Sequence, residues 1–250
     1  MQEATEDFPS VIYINDEGVQ EQKDGTDNNN DSKNVSHDSS ESQQESGTSA
    51  IYSKELSTIK SLVPPAREDI ELRKVMLGDK KKKYTLVLDL DQTLIFSTEQ
   101  KGDGDGSAPK GYSVKIRPYA SELLEKMSKK YEIVVFTAAE ENYAKAIINS
   151  LDKKGEYVAK LLTREHCIRT GEGYYIKDLR ILADRSTDEV LIVDDTIFSF
   201  AFQLENGIPV SPFTGDADDD ELLFLMEYLE ELYDTGEIVK SNKVRMWPTL

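Results

Sequence analysis

The sequence predicts an α/β fold, with a mainly parallel central sheet covered by helices on both faces. Three observations carry this expectation. From Tyr84 onward, short apolar strands alternate with helical patterns. The strands run apolar without the polar alternation of a half-solvated sheet, as strands buried on both faces do. Two of them end abruptly in charge, Leu86-Val-Leu before Asp89-Leu-Asp91 and Val190–Val193 before Asp194-Asp195. In parallel sheets ligands bind beyond the carboxyl ends of the strands, and that is where these carboxylates fall.

The elements follow in order. Tyr84–Leu88 reads as a strand. Ile95–Thr98 and Tyr112–Ile116 read as a hairpin around the Gly-rich tip Gly102-Asp-Gly-Asp-Gly106. Residues 119–130 are helical, with Leu123, Leu124 and Met127 on one face. Glu132–Phe136 is the next strand, and residues 140–151 the next helix, striped by Tyr143, Ile147, Ile148 and Leu151. Short strands follow at Val158–Leu162, Cys167–Arg169 and Tyr174–Ile176, then Val190–Val193 and Ile208–Val210. Residues 218–233 form a closing helix rich in leucine. Upstream, Pro64-Pro65 opens a helix over Ala66–Leu77. Proline suits a first turn, Glu68 and Asp69 complement a helix N-terminus, and Gly78 is a C-terminal stop. Lys80–Lys83 is a solvated connection or an attraction for a phosphorylated partner.

Composition divides the chain. Residues 1–50 hold twelve Asp/Glu against two Lys, within a total net charge of -18. From residue 15 the segment is almost free of apolar residues and cannot bury enough surface to offset its ordering entropy. It predicts a disordered acidic tail over 1–50, a helical lead-in over 51–83, the main domain over 84–235 and a C-terminal extension over 236–250. Phe8–Ile14 is an apolar island in the tail, either a sheet-associating strand or a short motif for a partner. The tail itself is a recruitment arm or an inert solubiliser. The acid excess disfavours direct nucleic-acid binding. Cys167 is the only cysteine, so no intramolecular disulfide is expected. No apolar run reaches the roughly 20 residues that span a bilayer. The acidic opening Met-Gln-Glu resembles no targeting segment, and a soluble intracellular protein, nuclear or cytoplasmic, is expected. Oligomeric state is not legible.

Four features carry the chemistry, three of them strand ends. They place Asp89 and Asp91, Thr137, and Asp194 and Asp195, with Lys177 beside a short strand between the last two. Each alone reads blandly: a turn, a helix cap or a surface lysine. Together they supply carboxylates for a cation, and a hydroxyl and an ammonium for phosphate oxygens. A carboxylate can attack phosphorus, and Asp89 is the expected nucleophile. Asp91 would protonate the leaving oxygen and then activate water. Mg²⁺ prefers oxygen ligands, here Asp89, the Asp91 carbonyl and Asp195. Lys177 and Thr137 would hold the phosphoryl group. His166 and Cys167 lack a third partner and read as packing or a surface turn. Trp247 reads as packed on the domain or mobile.

Asp89-Leu-Asp91-Gln-Thr93, Phe136-Thr137-Ala138, Ile176-Lys177-Asp178-Leu179 and Val193-Asp194-Asp195 resemble the four motifs of the haloacid dehalogenase (HAD) superfamily. More narrowly they resemble its FCP/SCP-type phosphatases of the RNA polymerase II C-terminal domain. The resemblance runs from about Pro64 to Leu232 and includes Arg117-Pro118 and Asn206-Gly-Ile-Pro-Val210. It implies a Rossmann-like HAD fold and Mg²⁺-dependent dephosphorylation of phosphoserine and phosphothreonine in proteins. It maps Asp89 to the nucleophile, Asp91 to the acid/base, Thr137 and Lys177 to phosphate binding and Asp195 to the metal, with Asp194 and Thr93 in support. Three positions depart from the pattern. Gln92 replaces the usual Glu, Asp194-Asp195 replaces the Asp-Asn of small members, and Glu172 stands where a basic residue often precedes the motif lysine. A small β-hairpin takes the place of the large cap found in metabolite phosphatases, so a phosphorylated protein or peptide is the expected substrate. A non-catalytic scaffold and a small-molecule phosphatase are the alternatives.

Overall fold

The computed structural model describes residues 11–15, 18–21, 51–100, 111–248 and 250. Its strands are β1 Val11–Asn15, β2 Gly18–Glu21, β3 Tyr84–Leu88, β4 Ile95–Gln100, β5 Gly111–Ile116 and β6 Tyr131–Phe136, followed by β7 Val158–Leu162, β8 Ile168–Arg169, β9 Tyr175–Ile176, β10 Val190–Asp194 and β11 Gly207–Pro209. Its helices are α1 Ser53–Ile59, α2 Arg67–Glu71, α3 Ala120–Ser128, α4 Glu141–Leu151, α5 Glu221–Thr235 and α6 Ile238–Met246.

The central sheet has five strands in the order β11-β10-β3-β6-β7, and every pairing is parallel. Successive side chains of a strand point to opposite faces. Leu86 and Leu88 therefore face one layer with α3, α4 and α5, while Val87 faces the other with Leu56, Ile59 and Ile70 of the lead-in. Both faces are covered, which is why β3, β6 and β10 are buried along their whole length. The chain builds outward from β3 through β6 to β7, then returns to place β10 on the other side of β3. The sheet thus reverses direction at β3, and a ligand crevice opens at such a switch point.

The sequence expectation of a parallel, doubly covered sheet agrees with this architecture, and the hairpin insertion is present as β4 and β5. Its tip, residues 102–106, lies outside the described residues. Three features differ from expectation. The helix expected over 66–77 is only α2, five residues long. Leu72 and Met76 are exposed, and Val75 leaves the helix to bridge Leu182, so that segment has no apolar face to hold a longer helix. Helix α1 falls within the expected helical lead-in, whereas α6 was not anticipated. The disordered tail expected over 1–50 contains β1 and β2: β1 pairs antiparallel with β5 and buries Ile12 and Ile14. Apolar alternation, short as it is, wins where a partner edge exists. Residues 8–10 of the apolar island and residues 22–50 lie outside the described residues.

The segment expected as a C-terminal extension is built into the core. Trp247 is fully buried, its ring near Tyr52 and Phe200. Its indole N–H and the Asn242 amide both donate to the Gly207 carbonyl, at 2.9 and 3.0 Å. Strand β11 is a sheet edge, and these donors satisfy a carbonyl that an edge leaves open. Gly207 admits no side chain here, because a Cβ would lie 2.0 Å from the Phe200 ring.

Trp247→Ala is expected to lower the unfolding free energy by about 3–5 kcal/mol, as large-to-small changes of buried aromatics do. A urea titration checks this as a lower midpoint at unchanged slope.

Candidate active site

A cleft of about 1190 Å³ opens at the carboxyl ends of β3, β6 and β10. Asp89, Asp91, Thr137, Lys177, Asp194 and Asp195 all line it. Thr93 sits just behind, fully buried, and donates its hydroxyl to Asp89 Oδ2 at 3.1 Å. The structure therefore brings together every residue singled out by the sequence.

The topology explains the convergence. β3 delivers Asp89 and β10 delivers Asp194 from adjacent parallel strands, with Val193 paired to Leu88. β6, on the other side of β3, delivers Thr137. Lys177 follows β9 and is drawn in from outside the sheet, its backbone N–H bonded to the Ser199 carbonyl at 2.6 Å. Its ammonium bridges Asp89 and Asp194, the second at 2.6 Å. All three side chains are almost inaccessible to solvent.

The loop after β3 is held tightly. Gln92 has φ of +61°, a left-handed conformation that costs a non-glycine residue about 1–2 kcal/mol. Its N–H donates to Ile95 and its carbonyl accepts from Phe213 at 2.6 Å. Buried Arg117 donates to the Thr93 carbonyl at 3.1 Å and makes a two-point ion pair with Asp219. The Gln92 side chain is exposed, so Gln in place of Glu leaves the loop's supports intact.

The electrostatics favour a cation. The carboxylates of Asp89, Asp194 and Asp195 bring oxygen atoms within 4.8 Å of one another. One ammonium touches two of these three acids. Burial pushes the Asp195 carboxyl up to about 6, and the Asp89 charge adds to the rise. Burial also raises Asp194, with Lys177 pulling the other way. For Lys177, burial works against the ammonium, yet the Asp194 and Asp89 charges outweigh it and raise the pKa. An all-oxygen donor set of this size suits Mg²⁺, a hard ion that keeps several waters. Asp194 belongs to this cluster, whereas the sequence reading placed it in support.

Asp91 stands apart from the trio. It is partly exposed, and its Oδ1 accepts from the Tyr143 hydroxyl at 2.8 Å and from Ser97 at 3.4 Å. Burial raises its pKa, the Tyr143 bond opposes the rise, and the Asp89 charge adds to it. Thr137 is buried, and its hydroxyl accepts from the Ala139 N–H at 3.0 Å. It is not the N-cap of α4, whose cap position is Glu140.

Among the cleft residues that the sequence reading missed are Arg164, Tyr143 and Ile14. Arg164 follows the end of β7, donates to the Ala138 carbonyl at 2.6 Å and meets Glu140. The strand-end rule that found Thr137 could have found it. Glu172, which the sequence reading weighed, does not line the cleft, nor does Arg169; Arg169 belongs to the short β8–β9 pair and Glu172 to its connecting turn. His166 Nδ1 accepts from the Thr163 N–H, and Cys167 is buried with its thiol pushed up to about 12 by desolvation. Cys167 is packed and His166 caps a short turn, the two readings the sequence offered. Among the described residues no helix is long and apolar enough to cross a membrane.

Residues 84–241 match the family of NLI interacting factor-like phosphatases. CTD small phosphatase-like protein 3 of Caenorhabditis elegans is 36% identical over 190 residues, covering 72% of this chain and 66% of that protein. Carboxy-terminal domain RNA polymerase II polypeptide A small phosphatase 2 of Mus musculus is 34% identical over 165 residues, covering 62% of this chain and 60% of that protein. The matched stretch thus spans just under two thirds of each of these relatives. The solved fission yeast RNA polymerase II CTD phosphatase Fcp1 is a more distant likeness, at 18% identity and a TM-score of 0.43, over 75% of this chain and 54% of that one. With well over half of its length inside the family match, the chain belongs to the NLI interacting factor-like phosphatase family.

Proposed function

We propose that this protein is a Mg²⁺-dependent protein serine/threonine phosphatase that works through an aspartyl-phosphate, with the RNA polymerase II C-terminal domain as a candidate substrate. The observation that carries the reading is the buried Asp89–Lys177–Asp194 bridge at the floor of an open cleft. It presents one carboxylate to the cleft and fixes an ammonium beside it. Homologues named for the polymerase domain support the substrate class.

The chemistry divides among the side chains. An Asp89 oxygen attacks phosphorus while the bond from phosphorus to the serine or threonine oxygen breaks. Thr93 and Lys177 each hold one Asp89 oxygen, which fixes the direction of attack. Asp91 delivers its proton to the departing oxygen, the role its raised pKa suits. In the second half, the Asp91 carboxylate takes a proton from water, and the water oxygen attacks the aspartyl-phosphate. Phosphate leaves and the Asp89 carboxylate is restored. Lys177 and Thr137 border the space of the phosphoryl oxygens, and Arg164 lies at the rim where a second anionic group would pass. Asp89, Asp194 and Asp195 would hold a Mg²⁺ ion, which would supply the positive charge that lets one anion approach another. The open cleft admits an extended phosphorylated segment.

Wild-type protein is expected to release phosphate from phosphoserine peptides with Mg²⁺ and to stop with chelator. Asp89→Asn should lose at least about a thousandfold in kcat, as removal of a covalent nucleophile does. Undiminished turnover by that variant would sink the reading. Mg²⁺ should raise the melting temperature of the wild type, and Asp195→Asn should abolish that rise, measured by thermal unfolding. Lys177→Met leaves two buried carboxylates unpaired and should cost about 3–5 kcal/mol of stability without Mg²⁺, read from denaturant unfolding.

A further inference from the structure

We propose that the N-terminal strand β1 braces the general acid, so that Val11–Asn15 is a working part of the phosphatase. The proposal rests on the role given to Asp91 above. Strand β1 lies antiparallel along β5, in a register that sets Ile14 opposite Tyr112. Directly opposed residues of antiparallel strands share a face. Here that face borders the cleft, which Ile14 and Tyr112 both line. The Tyr112 ring meets Tyr143 edge-on, with centroids 5.0 Å apart and planes at 66°. Aromatic pairs favour this geometry. Tyr143, on α4, belongs to the same apolar cluster as Ile14 and donates its hydroxyl to Asp91 Oδ1 at 2.8 Å. A continuous line of contacts thus runs from the N-terminal strand through two rings to the acid.

The arrangement has a chemical purpose. A general acid works only when its proton points at the leaving oxygen. By occupying Oδ1, Tyr143 leaves Oδ2 to carry the proton toward the substrate. The remaining partner of Asp91 is the Ser97 hydroxyl at 3.4 Å, too long to fix a rotamer alone. Without β1, β5 would present an open edge, and Tyr112 would lose one side of its support. The cost falls on one class of substrate. A serine alkoxide is a poor leaving group and needs the proton. The p-nitrophenolate ion departs without one.

The test uses the full chain and two substrates, a phosphoserine peptide and p-nitrophenyl phosphate, both with Mg²⁺. Tyr143→Phe keeps the ring and removes the hydroxyl. It should lose kcat on the peptide about tenfold more than on the aryl phosphate, a fraction of the roughly 10²–10⁴ a general acid supplies. Ile14→Ser should shift the same ratio in the same direction, by about threefold. Tyr13→Ala, on the other face of β1, should leave the ratio where it is. Equal losses on both substrates overturn the proposal. So does an Ile14→Ser ratio equal to the wild type while Tyr143→Phe moves it, because the brace then stops short of β1. A wild type that turns over neither substrate defeats the proposed function, and this inference with it. A wild type active on both, with ratios unmoved, defeats this inference alone.

Discussion

Three buried charges at one end of the sheet set the terms for everything around them. Lys177 lies between Asp89 and Asp194, and all three are almost inaccessible to water. Buried charges persist only when paired and hydrogen-bonded. Each has further support: Thr93 on Asp89, the Thr196 N–H on Asp194 and the Lys177 backbone N–H bonded to the Ser199 carbonyl. The group still holds more acid than base once Asp195 is counted, so it remains receptive to a cation. The arrangement that the proposed phosphoryl transfer needs is also one that is electrostatically incomplete.

That arrangement makes demands on the rest of the fold. Asp89 and Asp194 meet because β3 and β10 are neighbours in register. The register is held because both faces of these strands are packed, one by α3, α4 and α5 and the other by the lead-in and Trp247. Slipping either strand by one residue would exchange its two apolar faces and carry its carboxylate away. The distant Arg117–Asp219 pair serves the same end, clamping the carbonyl of Thr93, whose hydroxyl holds Asp89. Packing and chemistry are coupled through the backbone.

Much of this was legible in the sequence, for local reasons. Apolar runs that end in Asp, Asp and Thr mark both the strands and the ends at which a ligand binds. Helical stripes such as that of residues 140–151 are period signals that any buried face must obey. What failed to show had no local signal. Residues 66–77 combine proline, early acids and a late glycine, yet form only α2, because the chain leaves to bridge Val75 with Leu182. Helix α6 has a weakly apolar sequence and is held by Asn242 and Trp247 reaching the β11 edge. Arg164 carries no motif; its position at a strand end is what gives it a role.

By itself the sequence determined the fold class, the strand ends and the identity of the six cleft residues Asp89, Asp91, Thr137, Lys177, Asp194 and Asp195, because periodicity and the cost of buried charge act over a few neighbouring residues. The tertiary structure alone decided that Lys177 bridges Asp89 and Asp194, that Tyr143 holds Asp91, and that an N-terminal strand joins a hairpin about a hundred residues away. Those contacts join segments whose meeting costs loop-closure entropy and is repaid only by the complementary surfaces of the finished fold. No local pattern records that balance, so the sequence specifies which groups do the work and the fold specifies which of them touch.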